Sequence, residues 1–485
     1  MPTRFHNAIV WTGLGQPLQN ALTVQDGIVV SNDLPASDSI DCQGATILPA
    51  FIDGHSHPSF AAKHLLGPDV TNCASVAEVR ETVRSWIEQH NAHDWVVGGS
   101  YDRSMADAGA FEAAWLDIEG LSNPVVLHAS DHHSIWVNSE ALKRAGLIAS
   151  PGGHGTFFED TEKSLILDHI PKPTKAALGN AITSSLQTML EHGIVATIDA
   201  WIDEDTRDAY KGVESAVEVS LGHWITADNW QDANFVNQDV KFFVDGVLGS
   251  ATACVSEGYL DGVASTAPVW DSGELFEAMQ KFNSHGCRLH LHAIGDGAVD
   301  IALELIQRLD CQKSPVLVHA ELLRDDQIET LANLEIWVCS QPLWARVDSL
   351  SIGALKRLSA SQQAQLYRNK DLIEAGGKLA FGSDWPVSDL NPLLGIYTAV
   401  RRQVSGQEAS VLNLEQSVSL EQAIHAYTAA PASMLGLSRN GELNPGSRAD
   451  FVLLNKNPFA DNGVSLPNTK VMAVYLSGAK AFDAN

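Results

Sequence analysis

The sequence has only six cysteines, set far apart, with no C-x-x-C pair. A chain of 485 residues can bury enough core to need no disulfide, so the thiols are expected to be reduced, as in the cytosol. Basic residues are scarce as well: 31 Lys and Arg stand against 59 Asp and Glu, for a net charge of −28. Phosphate backbones need clustered Lys and Arg, so nucleic acid is excluded as a partner. No stretch approaches the roughly 18 apolar residues of a membrane span, and no apolar secretion segment follows Met1–Asn7. A cytoplasmic enzyme with no membrane partner is the expectation, and its acidic surface keeps it in solution. Internal repeats and low-complexity tracts are absent too. What is present is a 45% apolar fraction, enough to fill a large core.

The two ends of the chain read as β. Ala21–Val24 and Ile28–Val30 flank an Asp26-Gly27 turn signal, and near the other terminus Phe451–Leu454 and Val471–Leu476 precede Ser477-Gly478. Neither piece closes a sheet alone, so residues 1–48 and 437–485 are expected to share one small β-sandwich domain. Between them, short apolar runs alternate with helical patterns, the mark of a parallel sheet with crossover helices. Leu178, Ile182, Leu186, Met189 and Leu190 line one helical face; Gly193 stops that helix, and Ile194–Asp199 reads as a buried strand. Eight strand candidates begin near Ile47, Ile194, Val217, Val240, Arg288, Val316, Ile336 and Lys378. Eight is the count of a closed (β/α)8 TIM barrel, assigned to residues 49–58 and 176–436. Residues 59–175 are too long for one crossover and are read as an inserted α/β lobe over the barrel mouth. Near the end, Ser419 and Gln422 form a capping-box pattern, and the helix they open is expected to run until Pro431.

The chemistry concentrates at strand ends. After the apolar Ile47–Ile52 comes Asp53-Gly-His55-Ser-His57, two histidines at i and i+2 that would face the barrel mouth together. Three later strand candidates each end in a ligand-type residue: His292, with His290 on the same face, then His319, then Asp384. A single such residue is most often a satisfied core histidine or a capping aspartate. Four strand ends delivering His-His, His, His and Asp in order point to a metal centre. Lys241 opens the apolar strand at Val240. An exposed lysine there would merely snorkel. Buried at a barrel mouth, its amine would lose charge and could take up carbon dioxide as a carbamate able to bridge two metals. The alternative is one metal on the histidines, with Lys241 touching substrate.

These residues resemble the amidohydrolase superfamily: H-x-H on the first strand, Lys on the fourth, His on the fifth and sixth, Asp on the eighth. More narrowly the chain resembles the amidohydrolase type 3 branch, which includes N-substituted formamide deformylases. The likeness runs along nearly the whole chain. It includes His133-Ser-Ile-Trp136-Val-Asn138, Lys241-Phe-Phe-Val-Asp245-Gly, His292-Ala-Ile-Gly-Asp296, Gly382-Ser-Asp384-Trp385-Pro-Val and Gly441–Asp450. The resemblance implies one metal on His55, His57 and Asp384, a second on His292 and His319, and a carboxylated Lys241 (N6-carboxylysine) bridging them. It also implies Asp384 as catalytic general base.

One or two divalent ions are therefore expected, zinc first because imidazole and carboxylate ligands suit it, with manganese or iron also fitting. The expected activity is hydrolysis of an amide-type C–N bond in a small molecule, such as an N-acyl or N-formyl amine. A deaminase or cyclic-amide hydrolase would use the same site, and a metal-free barrel scaffold is the non-enzymatic alternative. His133, Trp136, Asn138, Asp245, Asp296, Trp344 and Trp385 are candidate substrate contacts, each with a competing structural role. A homodimer is the base-rate expectation for such an enzyme.

Overall fold

The structure is a computed structural model. It describes the whole chain except residues 91–93, 107–108, 131–133, 148–153, 264–266, 350, 440 and 485, and the side chains of 159–161. Three sheets organise the described residues.

The central sheet is the parallel barrel. Its strands are β1 (Phe51–Ser56), β2 (Ile194–Ile202), β3 (Glu218–Trp224), β4 (Asp239–Phe243), β5 (Arg288–Ala293), β6 (Val316–His319), β7 (Trp337–Ser340) and β8 (Lys378–Phe381), paired in that order. One expectation is corrected at the first strand. The run that begins near Ile47 is two strands: Thr46–Pro49 pairs in the terminal sheet, and the barrel strand starts at Phe51. The ring closes between β8 and β1, where Asp384 N donates to His55 O at 2.8 Å and His57 N donates to Trp385 O at 2.7 Å. Glycine makes that approach possible. A Cβ on Gly382 would lie 2.5 Å from His55 N, and one on Gly54 would lie 2.7 Å from Phe381 O.

Helices wrap the barrel as their periodicity requires. Lys175–Glu191 buries Leu178, Ile182, Leu186, Met189 and Leu190 against it, starts on a Thr174 cap and stops before Gly193 at φ 81°. Ser419 and Gln422 do form the reciprocal capping box of Leu420–Ala426. That helix ends before Pro431, which sits instead in the first turn of the next helix, Ala429–Leu435, where its missing N–H costs nothing. Ala430, Ala432, Met434 and Leu435 of this second helix pack with Ile52, Ile198, Val316 and Ala380, plugging the barrel at the end away from the histidines.

Both termini build one eight-stranded sheet, with Ala479–Asp483 at one end, Ile28–Val30 at the other, and Thr46–Pro49 beside Phe451–Leu454 at its centre. Asp26 and Gly27 carry φ of 51° and 81°, as a tight hairpin turn demands, and Ser477-Gly478 repeats the geometry. The sheet curls until Val29 N reaches Ser447 O at 2.8 Å, enclosing Phe5, Phe451 and Tyr475. The lobe holds the third sheet, Val96–Tyr101, Val125–Ala129, Ser134–Val137 and Thr156–Phe158. Among the described residues no helix is long and apolar enough to cross a membrane.

Candidate active site

Period-two alternation places the first ligand candidates. On β4, Val240 and Phe242 pack outward among the helices, so Lys241 faces the barrel interior; on β5, Leu289 and Leu291 do the same for His290 and His292. His292 is oriented by Asp245, whose Oδ1 lies 3.3 Å from its Nδ1. Asp245 is itself fixed by the backbone N–H groups of Ile294, Gly295 and Cys254 at 2.9–3.0 Å. Burial pushes this carboxyl up to about 7 against those donors.

His319 breaks the alternation. Leu317 packs outward and Val318 inward, which by parity would send His319 outward. Its φ of 75°, followed by 46° at Ala320, turns the ring back over the barrel mouth. Gln341 accepts from His319 Nδ1 at 2.7 Å, and its own amide is fixed by Cys339 O at 3.2 Å. Asp384 also adopts a left-handed backbone, φ 57°. Three non-glycine residues in that region at one mouth, His319, Ala320 and Asp384, mark a place where functional strain is expected.

Asp53 ties the two ends of the ligand set together. It receives His55 N at 3.1 Å, Ser383 N at 2.9 Å and Ser383 Oγ at 2.5 Å, so the β1 motif holds the Asp384 loop directly. Burial raises its carboxyl to about 6, the Ser383 and His55 donors notwithstanding.

All six ligand candidates meet at one place, none more than 6% exposed. His57 Nε2 lies 2.9 Å and His55 Nε2 3.4 Å from Asp384 Oδ1, and ligand atoms of the three lie within 4.8 Å of one another. Lys241 Nζ is 3.4 Å from His55 Nε2. The His319 ring stands 5.4 Å from His55 and 4.5 Å from His292, bridging the two halves of the group. Burial, then Lys241, His57 and His319, hold His55 well below its ordinary pKa, and burial does the same to His319. Burial opposes charge on Asp384 too, but His57 first, then His319 and Lys241, hold it below the usual carboxylate range. Among the described residues Lys241 makes no ion pair, and burial brings its amine down to about 7 despite Asp384. Among the described residues the Nδ1 atoms of His55 and His57 are buried without a hydrogen bond. Neutral imidazoles, an ionised carboxylate and a buried amine fit a metal ion or pair better than they fit each other.

A cavity of about 740 Å³ opens over this group, a size that suits a small molecule. Phe60, Trp201 and Phe243 form an aromatic wall beside His57. The lobe contributes Asp102, Arg103 and Ser130 to the cavity wall.

The sequence profile of the amidohydrolase family, Amidohydro_3, matches residues 38–481. The chain belongs to the amidohydrolase family. Members of the family depend on metal, and in this amidohydrolase the His55–His57–Asp384 group can hold one. It is 24% identical to the YtcJ protein of Bacillus subtilis, over the full length of both chains. With an N-substituted formamide deformylase of Arthrobacter pascens it shares 23% identity over 93% of this chain and 90% of that one. An uncharacterized metal-dependent hydrolase from Pyrococcus horikoshii shares the fold, at a TM-score of 0.77 and 23% identity, over 96% of this chain and 99% of that one.

The expected substrate contacts of the amidohydrolase divide sharply. Trp344 lines the cavity and stacks on His319 at 5.5 Å. His133 lies outside the described residues. Trp136 is fully buried in the lobe core, its indole N–H donating to Glu112 O at 3.1 Å. Asn138 caps the helix Ser139–Arg144 and bonds Val125 N and Asn123 O. Asp245 acts on His292 and does not line the cavity. Asp296 opens the helix Asp296–Gln307 and is spent on Ser256 and Arg324. Trp385 packs against the barrel core. His290 pairs with Asp239 at 3.2 Å, toward the plugged end, and orients no ligand. Sequence reasoning missed Asp53, Gln341 and Glu321. The first belongs to the quoted D-G-H-S-H motif and the third follows His319 by two residues; Gln341 carried no signal.

Proposed function

We propose that this amidohydrolase cleaves an amide-type C–N bond other than a peptide bond, in an N-acyl or N-formyl amine. The convergence of His55, His57, Lys241, His292, His319 and Asp384 under one cavity carries the reading. The formamide deformylase relative supports the N-formyl end of the range.

His55, His57 and Asp384 would hold one divalent ion, zinc for preference, and His292 and His319 a second, with carboxylated Lys241 between them. Such ions supply a nucleophile from water at neutral pH and polarise the carbonyl under attack. The protein does the rest. Gln341 and Asp245 fix the imidazole tautomers, so His319 and His292 keep their Nε2 atoms turned inward. Asp384, ionised at neutral pH, takes the proton of the attacking water on its carboxylate and returns it to the leaving nitrogen. Phe60, Trp201 and Phe243 exclude bulk water from one side of the reacting bond.

The test is amine release from N-formyl and N-acyl amines by the zinc- or manganese-loaded protein, repeated with Asp384→Asn. The reading expects a free amine and a carboxylic acid, and an Asp384→Asn protein that keeps much of its metal and loses most turnover. Ammonia as the sole nitrogen product, or a fully active Asp384→Asn enzyme, contradicts it.

A further inference from the structure

Glu321 has no part in the mechanism above, yet it stands in the cavity wall, 7% exposed. Among the described residues one hydrogen bond reaches its carboxyl: the Tyr367 hydroxyl donates to Oε2 at 2.7 Å. The same tyrosine donates its backbone N–H to Glu321 O at 2.8 Å, so the two residues are locked at main chain and side chain. Tyr367 is braced from behind by Arg402, which is fully buried. Arg402 donates to Tyr367 O at 3.2 Å and to Leu412 O at 2.9 Å, and its guanidinium lies 5.8 Å from the tyrosine ring.

This bracing aims Glu321 without satisfying it. Oε1 has no donor among the described residues, and no described lysine, arginine or histidine lies within ion-pair distance of the carboxyl. Burial first, and then the acidic groups of Asp245 and Asp384, push its carboxyl up to about 7 against the Tyr367 hydroxyl. The cavity it lines also holds apolar residues, among them Ile294, Trp344, Leu366 and Leu412, beside the polar group around His319 and Asp384. A buried carboxyl that served only to anchor Tyr367 could be an amide at no electrostatic cost. A carboxyl kept in the cavity wall, one oxygen held and the other without a donor among the described residues, is complementary to a donor that arrives with the ligand.

We propose that Glu321 determines specificity by receiving an ammonium group of the substrate, so that the preferred substrate carries a protonated amine beside the amide that is cut. The clause about the amide rests on the function proposed above; the ammonium site does not. The substrate class is then the mono-N-acylated or mono-N-formylated diamines and their relatives.

Two measurements separate the claims. In calorimetry on the protein as purified, benzylamine and the neutral, similarly shaped benzyl alcohol are compared on wild type, Glu321→Gln and Glu321→Leu. The amine is expected to bind wild type about tenfold to a hundredfold more tightly than the alcohol, the worth of a charge-assisted hydrogen bond. Glu321→Gln, which keeps the Tyr367 bond and the shape, should erase that preference and leave the alcohol's affinity unchanged. No preference in wild type, or one that survives in Glu321→Gln, overturns the proposal; survival would mean the amine sits elsewhere, on a metal for instance.

In kinetics, an N-acetylated diamine is set against the N-acetyl alkylamine of equal length. Wild type should favour the diamine by a similar factor, carried mainly by KM, and Glu321→Gln should level the two while still turning over the neutral amide. Cleavage of neither amide alongside the calorimetric preference would fail the hydrolase reading and leave the Glu321 site standing. Equal cleavage of both, unaltered by Glu321→Gln, would do the reverse.

Discussion

His319 Nδ1 lies 2.7 Å from the side-chain oxygen of Gln341, a bond between the ends of neighbouring strands β6 and β7. Because Gln341 Nε2 is engaged with Cys339 O, its oxygen must face the ring, so Nδ1 carries the proton and Nε2 turns to the cavity. Gln341→Leu removes the constraint without touching a ligand. Metal affinity, measured by competition with a chromogenic chelator, is expected to fall about 10- to 100-fold. An unchanged affinity would mean that the φ of 75° at His319 orients the ring alone.

Lys241 yields a chemical prediction. With its amine near 7, roughly half of it is uncharged at neutral pH, against well under one per cent for an ordinary lysine. A neutral amine is what carbamate formation needs. Protein refolded or metallated under labelled bicarbonate should show a single carbamate carbon by NMR, absent in Lys241→Arg, and the variant should retain fewer ions. A fully metallated wild type without that signal would make Lys241 a substrate contact.

The plugged end of the barrel carries a stability prediction. Arg288 donates to Asp239 and to Leu435 O, each at 2.9 Å, closing the C-terminus of the Ala429–Leu435 helix. Burial opposes the charge of Asp239, but His290 and then Arg288 outweigh it and hold the carboxyl below its ordinary value. A lowered folded-state pKa adds stability that is present above the unfolded value of about 4 and is lost as pH falls through the folded one. Arg288→Met should therefore cost about 3–5 kcal/mol at neutral pH by urea unfolding of the metal-free protein. The gap should narrow below about pH 4, where wild type loses its advantage. A gap independent of pH would assign the loss to packing.

The barrel and its ligand candidates were legible because both are written locally. Strand alternation sets Lys241 and His292 inward, and the H-x-H pair announces itself. What was not legible depends on contacts between distant segments. Asp245 reads as a turn residue until the fold brings His292 to it, and Gln341 is an ordinary glutamine until β6 lies beside β7. Trp136 and Asn138 failed as substrate contacts for the same reason: their motif is specific, but the lobe uses it to pack itself. At His319 the period-two rule gives the wrong side, since only the backbone shows the left-handed turn that reverses it.

Six buried side chains from the ends of β1, β4, β5 and β6 and from the β8 loop form a group built to hold metal. Elemental mass spectrometry of protein purified without chelator tests it most directly. Close to two divalent ions per chain are expected, falling to about one when His292 and His319 are both replaced by alanine. No ion above background, even after incubation with zinc or manganese, would contradict it and leave a barrel whose histidines serve only its own packing.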